Sequence, residues 1–208
     1  SNITSGWYKI YRPKTVDDYI FQSESDAIKF NEYIDNGDFP DLMLTGHRGT
    51  GKTTLALILK RALNIEDIDT LILNASDANS VDDIRNTVKP FINTLSLGKF
   101  RLVILDEADA LTPQAQEALK SMMEDPERNA RFIFICNKPH KIIPEIHSRC
   151  TGYTFNAVDK NSMKKIGLEI LQDRGMDFST VDQKEFLSGV DAHIAFSYPD
   201  LRNFITSL

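Results

Sequence analysis

The run Gly46-His47-Arg48-Gly49-Thr50-Gly51-Lys52-Thr53 has the spacing G-x-x-x-x-G-K-[ST] that cradles phosphate. Glycines let the backbone wrap an anion closely and turn its N–H groups inward at a helix N-terminus, where the dipole favours negative charge. The ammonium of Lys52 suits the β- and γ-phosphates of ATP and the hydroxyl of Thr53 suits Mg2+, with Thr54 completing the nucleotide-binding set. Downstream, the apolar run Arg101-Leu102-Val103-Ile104-Leu105 ends in Asp106-Glu107-Ala108-Asp109. Asp106 suits the metal shell, and Glu107 suits orienting or deprotonating an attacking water. Carboxylates at a strand end would, taken alone, merely open a loop; the phosphate loop upstream gives them a chemical reading. Asp109 carries no assigned chemistry. Asn137 follows the run Arg131 to Cys136, where an amide can donate to a γ-phosphate or orient a water, although such an Asn is also an ordinary turn residue. Asn74, after Thr70 to Leu73, has the same two readings.

These groups need a scaffold that brings them to one edge. Apolar runs at Leu42 to Leu44, Thr70 to Leu73, Leu102 to Leu105 and Phe132 to Cys136, with a shorter one at Tyr153 to Phe155, read as strands. Their nearly continuous apolar character predicts a parallel sheet buried on both faces, which binds ligands at its C-terminal edge. Helices are expected between them. Thr53 to Leu63 follows the first strand, Ser80 with Asp83 makes a capping-box spacing, and Thr112-Pro113 opens a helix that Asp125-Pro126 stops. Met122 and Met123 read as core rather than as a ligand surface. Beyond Asn156 the pattern is helical: Asp159 can cap a helix through Arg174 with Gly175 as its stop, and helices are expected around Asp182 to Leu187 and from Pro199 to Leu208. The expected fold is therefore α/β with helices on both faces of the sheet, as residues 1–155, followed by a small all-helical lobe, residues 156–208.

Composition narrows the function classes. Hydrophobic residues at 41% and charged residues at 26% are ordinary for a globular chain and argue against disorder or fibre. No long apolar run or basic-then-apolar leader is present, so a membrane partner is not expected and a cytoplasmic location is. Cys136 and Cys150 lack a disulfide-scaffold or zinc pattern. A net charge of −6 argues against bulk electrostatic coating of nucleic acid, although Lys138, His140, Lys141, His147 and Arg149 are concentrated against a single Glu145. The opening Ser1-Asn2 without methionine has the look of a cleaved tag.

Further stretches carry a family resemblance. Ile10-Tyr11-Arg12-Pro13 with Val16-Asp17-Asp18 and Gln22 resembles the K-Y-R-P box that opens clamp-loader ATPase domains. Asn74-Ala75-Ser76-Asp77 followed by Val81 to Arg85 is similar to their N-A-S-D segment. Cys136-Asn137 through Lys141-Ile142-Ile143 to Ser148-Arg149-Cys150 resembles their sensor 1 and S-R-C arginine-finger segments. Tyr198-Pro199-Asp200-Leu201-Arg202 resembles the sensor 2 helix in its phage form. The boxes are short, and their ordered combination, from Tyr8 to Leu208, is specific.

The resemblance implies a P-loop AAA+ fold with a five-stranded parallel sheet and a helical lid, in subunits that assemble with other clamp-loader subunits into a ring-like pentamer. It also implies that Tyr11, Arg12 and Pro13 line the adenine side, that Arg202 reaches the γ-phosphate from the lid, and that Arg149 acts on a neighbour's ATP. A guanidinium against a γ-phosphate stabilises charge in phosphoryl transfer, which suits the last role. The implied function is ATP-driven loading of a sliding clamp onto primer-template DNA, in the host cytoplasm if the source is a phage. Another AAA+ DNA motor, such as a branch-migration helicase or initiator loader, and a nucleotide-gated scaffold without turnover are the alternatives. Three departures from the family pattern are visible. The chain stops at Leu208 without the helical collar domain, as expected of a truncated piece that stays monomeric; Ile10 stands where lysine is usual; and Asp77-Ala78-Asn79-Ser80 has no basic residue, leaving DNA contact to Arg85 and the helix N-terminus at Ser80.

Overall fold

The computed structural model describes residues 14–16, 19, 21, 23–156, 160–173, 183–198, 200 and 204–205. They form two compact units, one of Lys14–Gly46 with Lys52–Phe155, the other of His47–Gly51 with the described residues from Asn156 onward.

In the first unit, helix α1 (Glu24–Asn36) precedes strand β1 (Leu42–Gly46) and helix α2 (Lys52–Ala62). Strand β2 (Thr70–Asn74) leads to α3, built of Val81–Asp83, a π-helical turn Ile84–Val88, and Lys89–Asn93. Then come β3 (Arg101–Asp106), α4 (Pro113–Met123), β4 (Ala130–Cys136), the short α5 (Pro144–His147) and β5 (Thr151–Phe155). The strands form one sheet in the order β2-β3-β4-β1-β5. Every pairing is parallel. The fold is the expected five-stranded parallel sheet with flanking helices.

Strand side chains alternate between two cores, as the pleat requires. Met43, Val103, Leu105, Phe132, Phe134 and Cys136 face α3 and α4, where Met122 and Met123 are buried as core. Leu42, Leu44, Leu102, Ile104, Ile133 and Ile135 face α1 and α2. Both faces being covered explains why the strands read as unbroken apolar runs. Helix ends are chemically marked. Ser80 and Asp83 form the expected reciprocal capping box, and the Ser80 hydroxyl holds the Asp83 carboxyl below the usual range. Thr112 accepts a bond from Ala115 N.

Helix α1 has no counterpart in the sequence reading. Its signals are nonetheless local: Ser23 at the N-cap position, Glu24 and Asp26 in the first turn, and Gly37 at φ 64° as a left-handed stop. Few apolar residues advertise it, because it buries only Phe30 and Tyr33. Those two join an aromatic cluster in which Tyr33 and Tyr153 share a buried hydroxyl bond of 2.8 Å.

The second unit's helices are α6 (Lys160–Asp173) and α7 (Gln183–Ser197). Met163, Ile170 and Leu171 pack with Val190, Ile194, Phe204 and Ile205. Helix α7 runs further than the expected helix ending at Leu187. The proposed cap Asp159, the stop Gly175 and the start at Pro199 lie outside the described residues.

The edge opposite the phosphate loop is fixed by buried charge. Asp69 and Arg101 pair at 3.2 Å with side chains 1% and 7% exposed. Arg101 also donates to the carbonyls of Thr94, Ile68 and Leu95, while Asp69 accepts from the N–H groups of Leu97 and Gly98. The pair thereby pins the exposed segment after α3 to the base of β3. Removing one partner leaves the other charge uncompensated. Asp69→Ala is expected to lower the unfolding free energy by about 3–5 kcal/mol, read as an earlier urea midpoint; a midpoint equal to the parent's would show that the pair does not hold this edge.

Candidate functional site

The phosphate loop starts where β1 ends, and its glycines are required by backbone geometry. Gly46 has φ 139°, and a Cβ there would lie 1.9 Å from the Phe155 carbonyl oxygen. Gly49 and Gly51 follow at φ 74° and 90°, so the chain turns repeatedly through the region that disfavours side chains. Thr50 Oγ1 donates to His47 O at 2.9 Å, tightening the turn, while His47 and Arg48 are exposed. Within the second unit, the Asp200 carboxylate packs against Gly49. Thr54, 3% exposed, is a buried first-turn residue of α2.

Lys52 and Asn137 meet. The Lys52 ammonium, on a residue 5% exposed, donates to Gly46 O at 2.8 Å and to Asn137 Oδ1 at 3.2 Å. Thr53 Oγ1 donates to Asp106 Oδ2 at 3.0 Å. Gly46, Asp106 and Cys136 all end parallel strands, so sheet register alone brings Lys52, Thr53, Asp106, Glu107 and Asn137 to one edge. Glu107 is held in a left-handed backbone conformation, φ 53°, with its N–H on Asp106 Oδ1. The Ser76 hydroxyl donates to its carboxylate. Hydroxyl and carboxylate oxygens at Thr53 and Asp106 are the hard donors that Mg2+ prefers, and a loop of left-handed glycines beside a lysine fits a polyphosphate. Nucleotide and metal therefore suit the residues present.

Arg149 lies elsewhere. Register pairs Thr151 with Leu42 and Phe155 with Gly46. At about 3.3 Å per residue, the segment before Thr151 is a strand's length from the phosphate loop. Arg149 Nη1 donates to Glu145 O at 2.6 Å, and Nη2 donates to the Glu124 carboxylate. Two members of the basic stretch are tied locally: His147 Nε2 bonds Pro139 O at 2.8 Å, and Arg149 is paired with Glu124. Arg85 is exposed on the π-helical turn of α3 and shares an open groove with Pro113, Gln114 and Glu117 of α4. The Tyr11-Arg12-Pro13 box and Arg202 lie outside the described residues.

The sequence profile of the family described as DNA polymerase III, delta subunit, matches residues 33–159. The chain is 38% identical over 206 residues to the replication factor C small subunit of Archaeoglobus fulgidus, covering 97% of this chain and 62% of that protein. The corresponding protein of Thermofilum pendens is 40% identical over 206 residues, with 97% and 61% covered. The chain belongs to the RFC-like AAA+ clamp-loader subunits. It spans about three fifths of the length of the curated members it matches. Among solved structures, the Holliday junction branch migration motor RuvB of Thermotoga maritima superposes with a TM-score of 0.73 at 19% identity, over 95% of this chain and 64% of that one. That likeness shows the fold alone.

Three residues that hold these groups and the neighbouring segment in place escaped the sequence reading. Ser76, on Glu107, was visible only as part of the N-A-S-D stretch. Asp109 accepts the Asn137 N–H at 2.9 Å and so fixes the backbone that presents the amide; its spacing after Asp106 gave no hint, since the partner lies on another strand. Gln116, 2% exposed, donates to Leu111 O and Lys141 O and accepts from Ile143 N, joining α4 to the segment before α5. Asn74 takes its turn reading: its side chain accepts Ser76 N at 2.9 Å.

Both cysteines are free thiols. Burial, with Asp109 nearby, pushes Cys136 from 9.0 up to about 12, and burial, with Asp41 nearby, does the same for Cys150. A thiol kept protonated reacts slowly. In the native protein at pH 8 alkylation of the buried Cys136 is expected to run about 10³-fold slower than in a free thiol peptide and to become ordinary in denaturant; rapid native labelling at Cys136 would contradict its burial.

Proposed function

We propose that this chain is the ATPase portion of a clamp-loader subunit, which binds Mg-ATP and hydrolyses it within an assembly to open a sliding clamp and load it onto primer-template DNA. The observation that carries the reading is the division of the machinery between two ends of one sheet. Phosphate loop, Asp106, Glu107 and Asn137 stand at one end, and Arg149 stands beyond the other, too far away to reach its own subunit's nucleotide. A self-contained hydrolase has no use for that separation. A ring, in which each nucleotide lies between neighbours, does. Membership of the replication factor C small-subunit relatives favours clamp loading over branch migration, for which only fold likeness speaks.

In this reading, Lys52 turns from Gly46 O and Asn137 toward the β- and γ-phosphates, whose charge makes them stronger acceptors. Thr53 and Asp106 would hold Mg2+, which when bound would neutralise the charge that develops on the phosphates. Glu107 orients the attacking water once its carboxylate is free of Ser76, and Asn137 donates toward the γ-phosphate. Tyr11, Arg12 and Pro13 against adenine and Arg202 from the lid complete the assignment by family resemblance.

DNA contact is assigned to Arg85 and the neighbouring helix starts. Thr112 N donates to Asn79 O at 3.1 Å, which sets the capped start of α4 beside the capped start of α3. Helix N-termini and arginines are the usual phosphate contacts. Asp82 and Asp83 oppose them in the first turn of α3, so one arginine is expected to carry most of the contact. Arg85→Ala should weaken DNA binding by the full-length assembly and make its dependence on salt shallower, by a slope of about one. An unchanged slope would remove Arg85 from the DNA interface.

Supplying the finger arginine in trans can be worth about 10³ to 10⁵ in rate. Full-length chains carrying Glu107→Gln and chains carrying Arg149→Ala, each inactive alone, are therefore expected to recover partial ATPase activity when mixed. Recovery needs an intact Glu107 beside a neighbour's intact Arg149. A mixture that stays inactive although mixed assemblies form, or Arg149→Ala chains that turn over at the parent rate, would refute the shared site.

A further inference from the structure

We propose that Glu124 is a positioning residue that stores Arg149 on its own subunit and thereby sets how readily the guanidinium engages the next subunit's nucleotide. The proposal rests on the trans role of Arg149 argued above.

The geometry separates two kinds of anchor. Nη1 of Arg149 donates to the carbonyl of Glu145, four residues back in the same turn, and Ser148 Oγ donates to that carbonyl as well. Nη2 instead donates to Glu124, 25 positions away in the chain, at the end of α4. The first anchor moves with Arg149; the second ties it to another element. Side chains of the pair are 33% and 45% exposed, so the bond is open to competition from solvent and from an incoming anion. A carboxylate and a phosphate want the same planar edge of a guanidinium. Arg149 therefore cannot make its full set of bonds to a neighbour's γ-phosphate while Nη2 remains on Glu124.

The charges facing the pair favour storage over escape. Lys120 pairs with Glu117 at 2.5 Å and also feels Glu124 and Glu145. With Lys120 engaged by Glu117, the Glu124 carboxylate is left to Arg149, and the guanidinium is held on its own subunit. Helix α4 gives the store a mechanical connection. It begins just after the turn that follows Glu107, its Gln116 grips Lys141 O and Ile143 N on the segment leading to Arg149, and it ends at Glu124. A small displacement of α4 at the catalytic edge would reach the finger through both contacts.

The test uses the two-chain mixture of full-length subunits, where the finger donor is the Glu107→Gln chain. Adding Glu124→Gln to that donor keeps side-chain shape and removes the charge. DNA-free turnover of the mixture is expected to rise about threefold, the scale of one exposed ion pair, with the DNA- and clamp-stimulated rate little changed, so the stimulation ratio falls. Glu124→Asp on the donor should restore the lower DNA-free rate. The same Glu124→Gln placed on the Arg149→Ala chain should do nothing, since that chain has no finger to store. A structural defect in α4 would instead act from either chain and lower the thermal midpoint. An active reference mixture whose DNA-free rate is unchanged or reduced by donor Glu124→Gln overturns the storage role while leaving the finger intact. An inactive reference mixture is a different failure: it removes the trans finger and the storage role with it.

Discussion

A buried ammonium is the constraint from which the arrangement of this fold follows. Lys52 sits 5% exposed, and an uncompensated charge at that depth would cost more than a domain's stability can absorb. Its partners are therefore structural necessities before any ligand arrives. Gly46 supplies a carbonyl because β1 ends there in a conformation open only to glycine. Asn137 supplies an amide oxygen because β4 lies next to β1, and Asp109 holds the Asn137 backbone because β3 lies next to β4. The order β3-β4-β1 is thus written into the chemistry of one side chain.

Those compensating bonds are also exchangeable, which is what makes them useful. Gly46 O and Asn137 Oδ1 are neutral acceptors, adequate for an ammonium and weaker than a phosphate oxygen. Thr53 and Asp106 satisfy each other in the same provisional way, at 3.0 Å. Glu107 departs from its neighbours in kind: a left-handed non-glycine backbone at a strand end holds it, and a serine hydroxyl occupies its carboxylate. Backbone strain at that point is consistent with a group placed for chemistry rather than for packing.

Much of this was legible in the sequence, for an identifiable reason. Strands buried on both faces are continuous apolar runs, and the residue after each run lands on the same edge, so Asp106, Glu107 and Asn137 could be grouped without coordinates. The cap at Ser80 and the one at Thr112 were local, and local chemistry is read directly. Non-local polar contacts were invisible: nothing in the spacing of Asp109, Gln116 or Glu124 announces a partner on another element. Helix α1 was overlooked for the opposite reason, since its capping signals were present but only Phe30 and Tyr33 of its apolar face are buried. The expected helix ending at Leu187 fell short because it was bounded by composition, while α7 continues through Val190 and Ile194, which pack against α6.

Two of the residues that the sequence concealed, Gln116 and Glu124, lie on the helix that joins the two ends of the sheet. Helix α4 starts just after the turn that follows Glu107, passes Gln116, and finishes at Glu124 beside Arg149. Met122, Leu119 and Ala115 lock it against the strands in a close-packed core, and such cores shift as units instead of deforming smoothly. A helix held this way transmits position better than a loop would. The edge that carries Glu107 and the segment that carries Arg149 are then joined by one packed helix, so in the ring proposed above a shift of α4 would be felt at both.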